Sequence, residues 1–75
     1  MLKIYDKVAP TYDEARKYIG GWIERVNLPN GDALLVDEEG LLKELDVNPE
    51  ASKVSERFIV GNALLVKKEV RGDAW

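Results

Sequence analysis

The chain predicts a small α+β domain, with one helix before a central hairpin and one short helix before the last strand. Three observations carry this. Two segments have the residues that start helices, a Pro-Asn-Gly turn joins two strand-like runs, and the tetrapeptide Ala-Leu-Leu-Val occurs twice, at Ala33 and Ala63. The sheet is expected to be antiparallel, a β-meander organised around Ile19 to Gly40.

Leu2 to Tyr5 alternates apolar and polar residues and could add a strand. Thr11-Tyr12-Asp13-Glu14 is a capping box. The threonine hydroxyl can accept from the Glu14 amide while the Glu14 carboxylate returns to Thr11. A helix should then run from Tyr12 to about Ile19, its acids near the positive end and its bases near the other. Its apolar stripe of Tyr12, Ala15 and Ile19 is expected to pack on the Val26/Leu34 face of the sheet.

Gly20-Gly21 should end that helix, and Trp22 to Leu28 reads as a strand. Leu28-Pro29-Asn30-Gly31 suits a type I turn closed by a glycine bulge, with Gly31 left-handed. That turn pairs Leu28 with Asp32, Val26 with Leu34, Glu24 with Val36 and Trp22 with Glu38. It puts Trp22, Val26, Leu28, Leu34 and Val36 on one side. A two-residue Asn30-Gly31 turn would instead set Leu34 and Val36 opposite Asn27 and Arg25, so the pattern prefers the first register.

Asp37 to Gly40 looks like a second turn, and Leu41 to Leu45 a third strand with imperfect alternation. Asn48-Pro49-Glu50 starts the second helix, Asn as cap and Pro at its first position, ending by about Glu56. Phe58 to Val66 is the last strand, interrupted at Gly61-Asn62. The repeated tetrapeptide suggests two strands in similarly buried surroundings. Residues 2–67 should form one ordered core, and 68–75 a flexible tail.

The chain has 14 acidic and 11 basic residues, a net charge of −3, and neither cysteine nor histidine. Disulfides, thiolate sites, imidazole bases and ordinary zinc sites are therefore excluded. The charge argues against nonspecific nucleic-acid binding. No apolar run approaches the roughly 18 residues of a membrane span, and no signal peptide is visible, so a cytoplasmic location is expected. No cofactor is expected.

Several residues are candidates for function. Glu24 breaks the apolar side of its strand, either as an edge carboxylate reaching water or as a partly buried acid. Glu38 lies diagonally from it, and the pair could hold Mg²⁺ or Ca²⁺ with waters; the alternative is a solvated acidic turn. Asn48 reads as a cap before a ligand contact. Gly61-Asn62 could offer amides to an anion, although a bulge is the simpler reading. Ile23, Leu35 and Leu41 are expected on an uncovered outer face, as a surface for a protein partner or for a homodimer.

Four ordered blocks carry a resemblance. They are Gly-Gly-Trp-Ile-Glu from Gly20, Asp-Glu-Glu-Gly from Asp37, Asn-Pro-Glu-Ala-Ser from Asn48, and Ile-Val-Gly-Asn-Ala-Leu-Leu-Val from Ile59. Together they resemble a bacterial and bacteriophage domain of unknown function over Ile19 to Val66. Asp37 stands where that pattern usually has Asn. The resemblance implies a small phage or mobile-element accessory protein and brings no activity with it. Two functions follow as expectations: a non-enzymatic module binding a host or phage protein, or a small-molecule or nucleotide binder with weak metal-dependent hydrolysis centred on Glu24 and Glu38.

Overall fold

The computed structural model describes residues 1–75, in the order β1 (Leu2–Tyr5), α1 (Tyr12–Ile19), β2 (Ile23–Asn27), β3 (Ala33–Asp37), α2 (Pro49–Ser55), β4 (Ala63–Val66) and α3 (Lys68–Arg71). The α+β class and the positions of the two expected helices are as the sequence predicts. The four strands form one sheet in the order β1-β4-β3-β2.

Local chemistry explains the ends of α1. The Glu14 amide donates to Thr11 Oγ1 at 3.1 Å, and the Thr11 amide donates to Glu14 Oε1 at 2.8 Å. At the other end the Gly20 amide donates to the Arg16 carbonyl. The hairpin also takes the expected register, with Glu24 opposite Val36 and Val26 opposite Leu34. The Gly31 amide closes the turn onto the Leu28 carbonyl at 3.0 Å, and Gly31 has φ +96°.

The two Ala-Leu-Leu-Val runs are β3 and β4, and they pair with each other. Ala33 faces Val66, Leu34 faces Leu65 and Leu35 faces Leu64, antiparallel. Every residue of both runs is buried, because both faces of the sheet are covered. On one face Val26, Leu28, Leu34, Val36 and Leu65 pack with Ala51 of α2 and with Ile59. On the other, Leu35, Leu64 and Val66 pack with Ala15 and Ile19 of α1 and with Trp75.

Five expectations are corrected. The sheet is mixed, since β1 runs parallel to β4. Leu41 to Leu45 is a succession of turns, not a strand. The amides of Lys43, Glu44 and Leu45 reach back to the carbonyls of Glu39, Leu41 and Gly40, and β4 takes the place beside β3. Helix α1 covers the Leu35 face rather than the Val26/Leu34 face. Trp22 stays out of the core, with the Arg16 guanidinium 4.0 Å from its ring centre. The stretch 68–75 folds instead of trailing. It begins with α3 and ends with a buried Trp75, whose Nε1 donates to the Pro10 carbonyl at 3.0 Å.

Candidate functional site

A cleft of about 360 Å³ opens where the end of the hairpin meets the segment before β4. Its floor is Val36, Ile59 and Val60, and Glu24, Glu38 and Glu39 stand around it. The turn that replaces the expected third strand raises Leu41 and Leu42 along one wall, and Phe58 joins them from across the cleft. These three side chains are 69%, 82% and 67% exposed. The Gly40 backbone lies against Val60, so close that a Cβ would come within 2.8 Å of Val60 Cγ2. That approach brings the hairpin end and residues 58–60 together as the cleft's two sides.

Buried chemistry holds this end of the sheet. Asp37, the last residue of β3, accepts from Lys43 Nζ at 2.8 Å and from the Glu39 amide at 2.8 Å. Burial alone would raise its pKa. The hydrogen bond from Lys43, the Glu39 amide and the Lys43 charge outweigh it and hold the carboxyl below its ordinary value. The turn carrying Glu38 to Leu42 is thus tied to the sheet by a charged residue that itself lines the cleft.

Asp32 does the same at the other end of β3. It accepts from Lys67 Nζ at 2.9 Å, the Lys68 amide at 2.8 Å and Asn30 Nδ2 at 3.0 Å. Burial would again raise its pKa, and those three donors and the Lys67 charge lower it. Lys67 is raised in turn by its hydrogen bond to Asp32 and by the Asp32 charge. Sequence reasoning missed both ion pairs. The signal was present for one: antiparallel pairing of the two Ala-Leu-Leu-Val runs carries Asp32 next to Lys67.

The predicted site residues divide. Glu24, Glu38 and Leu41 come together in the cleft. Glu24 is exposed, so it is the edge carboxylate and not a partly buried acid. No group of three or more acidic side chains converges as a metal site. Asn48 is wholly buried and fully engaged. It accepts from the Ala51 amide at 3.1 Å and donates to the carbonyls of Met1 at 3.1 Å and Gly61 at 2.8 Å. It is a cap that also fastens α2 to the β1 and β4 ends.

Gly61 and Asn62 line a separate depression of about 310 Å³ that includes Asp46. The Gly61 amide donates to the Asp46 carbonyl at 2.7 Å, and Asn62 Nδ2 donates to the Tyr18 carbonyl. With that amide spent and a carboxylate alongside, the place does not suit an anion. The expected outer patch is also corrected. Leu35 is fully buried under α1, Ile23 packs at the margin of that same core, and Leu41 belongs to the cleft instead.

A family model described as a domain of unknown function (DUF3846) matches residues 3–74. Neither a curated protein nor a solved structure matches the chain. No helix is long and apolar enough to cross a membrane.

Proposed function

We propose, for a chain that belongs to the DUF3846 family of domains of unknown function, a role as a non-enzymatic binding module whose cleft takes a cationic, partly apolar segment of a partner protein. The observation that carries this is the cleft's composition. Three large apolar side chains stand exposed over an apolar floor, edged by Glu24, Glu38 and Glu39. The ion pairs of the molecule are Lys43–Asp37 and Lys67–Asp32, so none of these three glutamates is neutralised within the chain. A lysine or arginine suits such a place, laying its aliphatic stem on apolar carbons and its charged head among carboxylates. The resemblance of the four ordered blocks to a bacterial and bacteriophage pattern is what supports a phage or mobile-element accessory protein as the setting.

The test compares partners captured from host lysate by the wild-type protein and by a Glu38→Lys/Phe58→Ser variant. Loss of one defined partner in the variant, with an unchanged melting temperature, supports the cleft. A melting temperature that rises with nucleotide and Mg²⁺ would overturn this reading in favour of a small-molecule site, because a ligand that binds only the native state stabilises it.

A further inference from the structure

We propose that the outer edge of β2 receives an extended cationic segment as a fifth strand of the sheet, and that this is how the partner reaches the cleft; the inference rests on the cleft reading above. Strand β2 is an edge, paired only with β3. The hydrogen bonds at its two ends, from the Glu38 amide to the Trp22 carbonyl and from the Leu28 amide to the Asp32 carbonyl, fix which groups face β3. In an antiparallel pair these alternate. Trp22, Glu24, Val26 and Leu28 therefore point their amides and carbonyls inward, and Ile23, Arg25 and Asn27 point theirs out. No backbone or side-chain hydrogen bond is made to the outward amides and carbonyls of these three residues. Such a row is a template for another strand.

The side chains beside that row choose the occupant. A strand added to β2 sends alternate side chains to the two faces of the sheet. On the cleft face its neighbours on β2 are Trp22, Glu24 and Val26, with Glu38 one strand further in, opposite Trp22, so lysine or arginine is favoured beside Glu24. On the opposite face its neighbours are Ile23 and Arg25, which favour an apolar residue and disfavour a cation. A segment alternating basic and β-branched residues satisfies both faces and the row of main-chain groups together. A second copy of β2 does not. In the antiparallel register that overlaps the strand fully, Arg25 meets Arg25, and like charges directly opposite are destabilising.

The experiment titrates a fluorescein-labelled peptide of alternating lysine and valine into the full chain, with a glutamate–valine peptide as control. Wild-type protein should bind the first peptide and not the second. Arg25→Pro removes one outward amide and leaves the β2–β3 ladder intact, which edge strands tolerate. It should weaken binding by about tenfold or more while the circular dichroism spectrum is unchanged. Should that variant fail to fold, a peptide N-methylated at alternate amides asks the same question of wild-type protein and should bind as weakly. Glu24→Lys/Glu38→Lys should also abolish binding. If the charge variant loses binding while Arg25→Pro and the N-methylated peptide bind as before, strand addition is wrong and the cleft stands. If wild-type protein ignores the lysine–valine peptide, or the charge variant binds it unchanged, both readings fall. A wild-type dimer that Arg25→Pro dissociates would give the edge to a second copy and overturn the proposal.

Discussion

Asp32 and Asp37 bracket the central strand, and each is buried with a lysine drawn onto it. Their carboxyls ionise more readily in the folded chain than in the unfolded one. Each therefore contributes stability that is complete above the unfolded value, about 3.9, and is lost as pH falls through the lower folded value. Lys67 has the opposite sign, because its folded pKa is raised. Its contribution is complete below the unfolded value, about 10.4, and is lost as pH rises through the folded one. The urea midpoint should thus be flat near neutrality and fall at both extremes. Asp32→Asn should flatten both falls, since one substitution unpairs both groups. It should cost about 1–2 kcal/mol at pH 7, discounted for the exposure of Lys67. Asp37→Asn should be milder, about 1 kcal/mol, because an amide oxygen still accepts from Glu39 and only the Lys43 pair is lost. Asn48 is different in kind. It has no charge to titrate, but Asn48→Ala orphans the Ala51 amide and the Gly61 carbonyl, while the Met1 carbonyl keeps the Ala63 amide. Thermal or urea unfolding should show a loss of about 2–3 kcal/mol with no pH dependence.

The elements most legible in the sequence are those fixed by local chemistry. The capping box, the Asn48-Pro49 start and the Leu28-Pro29-Asn30-Gly31 turn each specify a backbone through neighbours in the chain, and each formed as expected. The hairpin register followed, because turn geometry and apolar pattern agreed. The cleft was legible only in part, since Glu24 and Glu38 share a hairpin but Phe58 reaches them by a long-range contact. The face chosen by α1 was not legible at all. Ala33 to Val36 is apolar without alternation, as a strand covered on both faces must be, so the pattern could not say which side the helix takes. Two glycines test the backbone. Gly31 has φ +96°, and a Cβ there would meet Lys68 Cδ at 3.2 Å. Gly31→Ala should cost about 1 kcal/mol or somewhat more, read from the denaturant midpoint. Gly61 has φ +79°, and its Cβ would fall 2.6 Å from Leu45 Cδ1. Gly61→Ala should cost more than Gly31→Ala, because Leu45 must also move; equal midpoints would show that Leu45 yields freely.

At the scale of the whole molecule, a chain of 75 residues has little core to spare. The absence of cysteine had suggested that a second copy would supply the missing burial. The structure shows another source. Lys68 to Trp75 returns to α1, the Trp75 ring stacks against Tyr12 with centroids 6.2 Å apart, and its indole nitrogen is bonded to the Pro10 carbonyl. Trp75 is 9% exposed and belongs to the same cluster as Ala15, Ile19 and Leu35. This aromatic side chain therefore helps α1 cover the face that was expected to be open. The sequence could not reveal this, because a lone tryptophan among charged residues carries no periodicity to place it. Trp75→Ala should cost about 3–5 kcal/mol, as loss of a large buried ring does, which is a large share of what a domain of this size possesses. The expected result is a variant whose melting transition is broadened and shifted far down, with the near-ultraviolet circular dichroism of the Tyr12–Trp75 pair gone. Trp75→Phe keeps most of the packing and loses the bond to Pro10, and should recover more than half of the difference. If Trp75→Ala melts like the wild type, the ring is not part of the core, and the α1 face must be closed by something else.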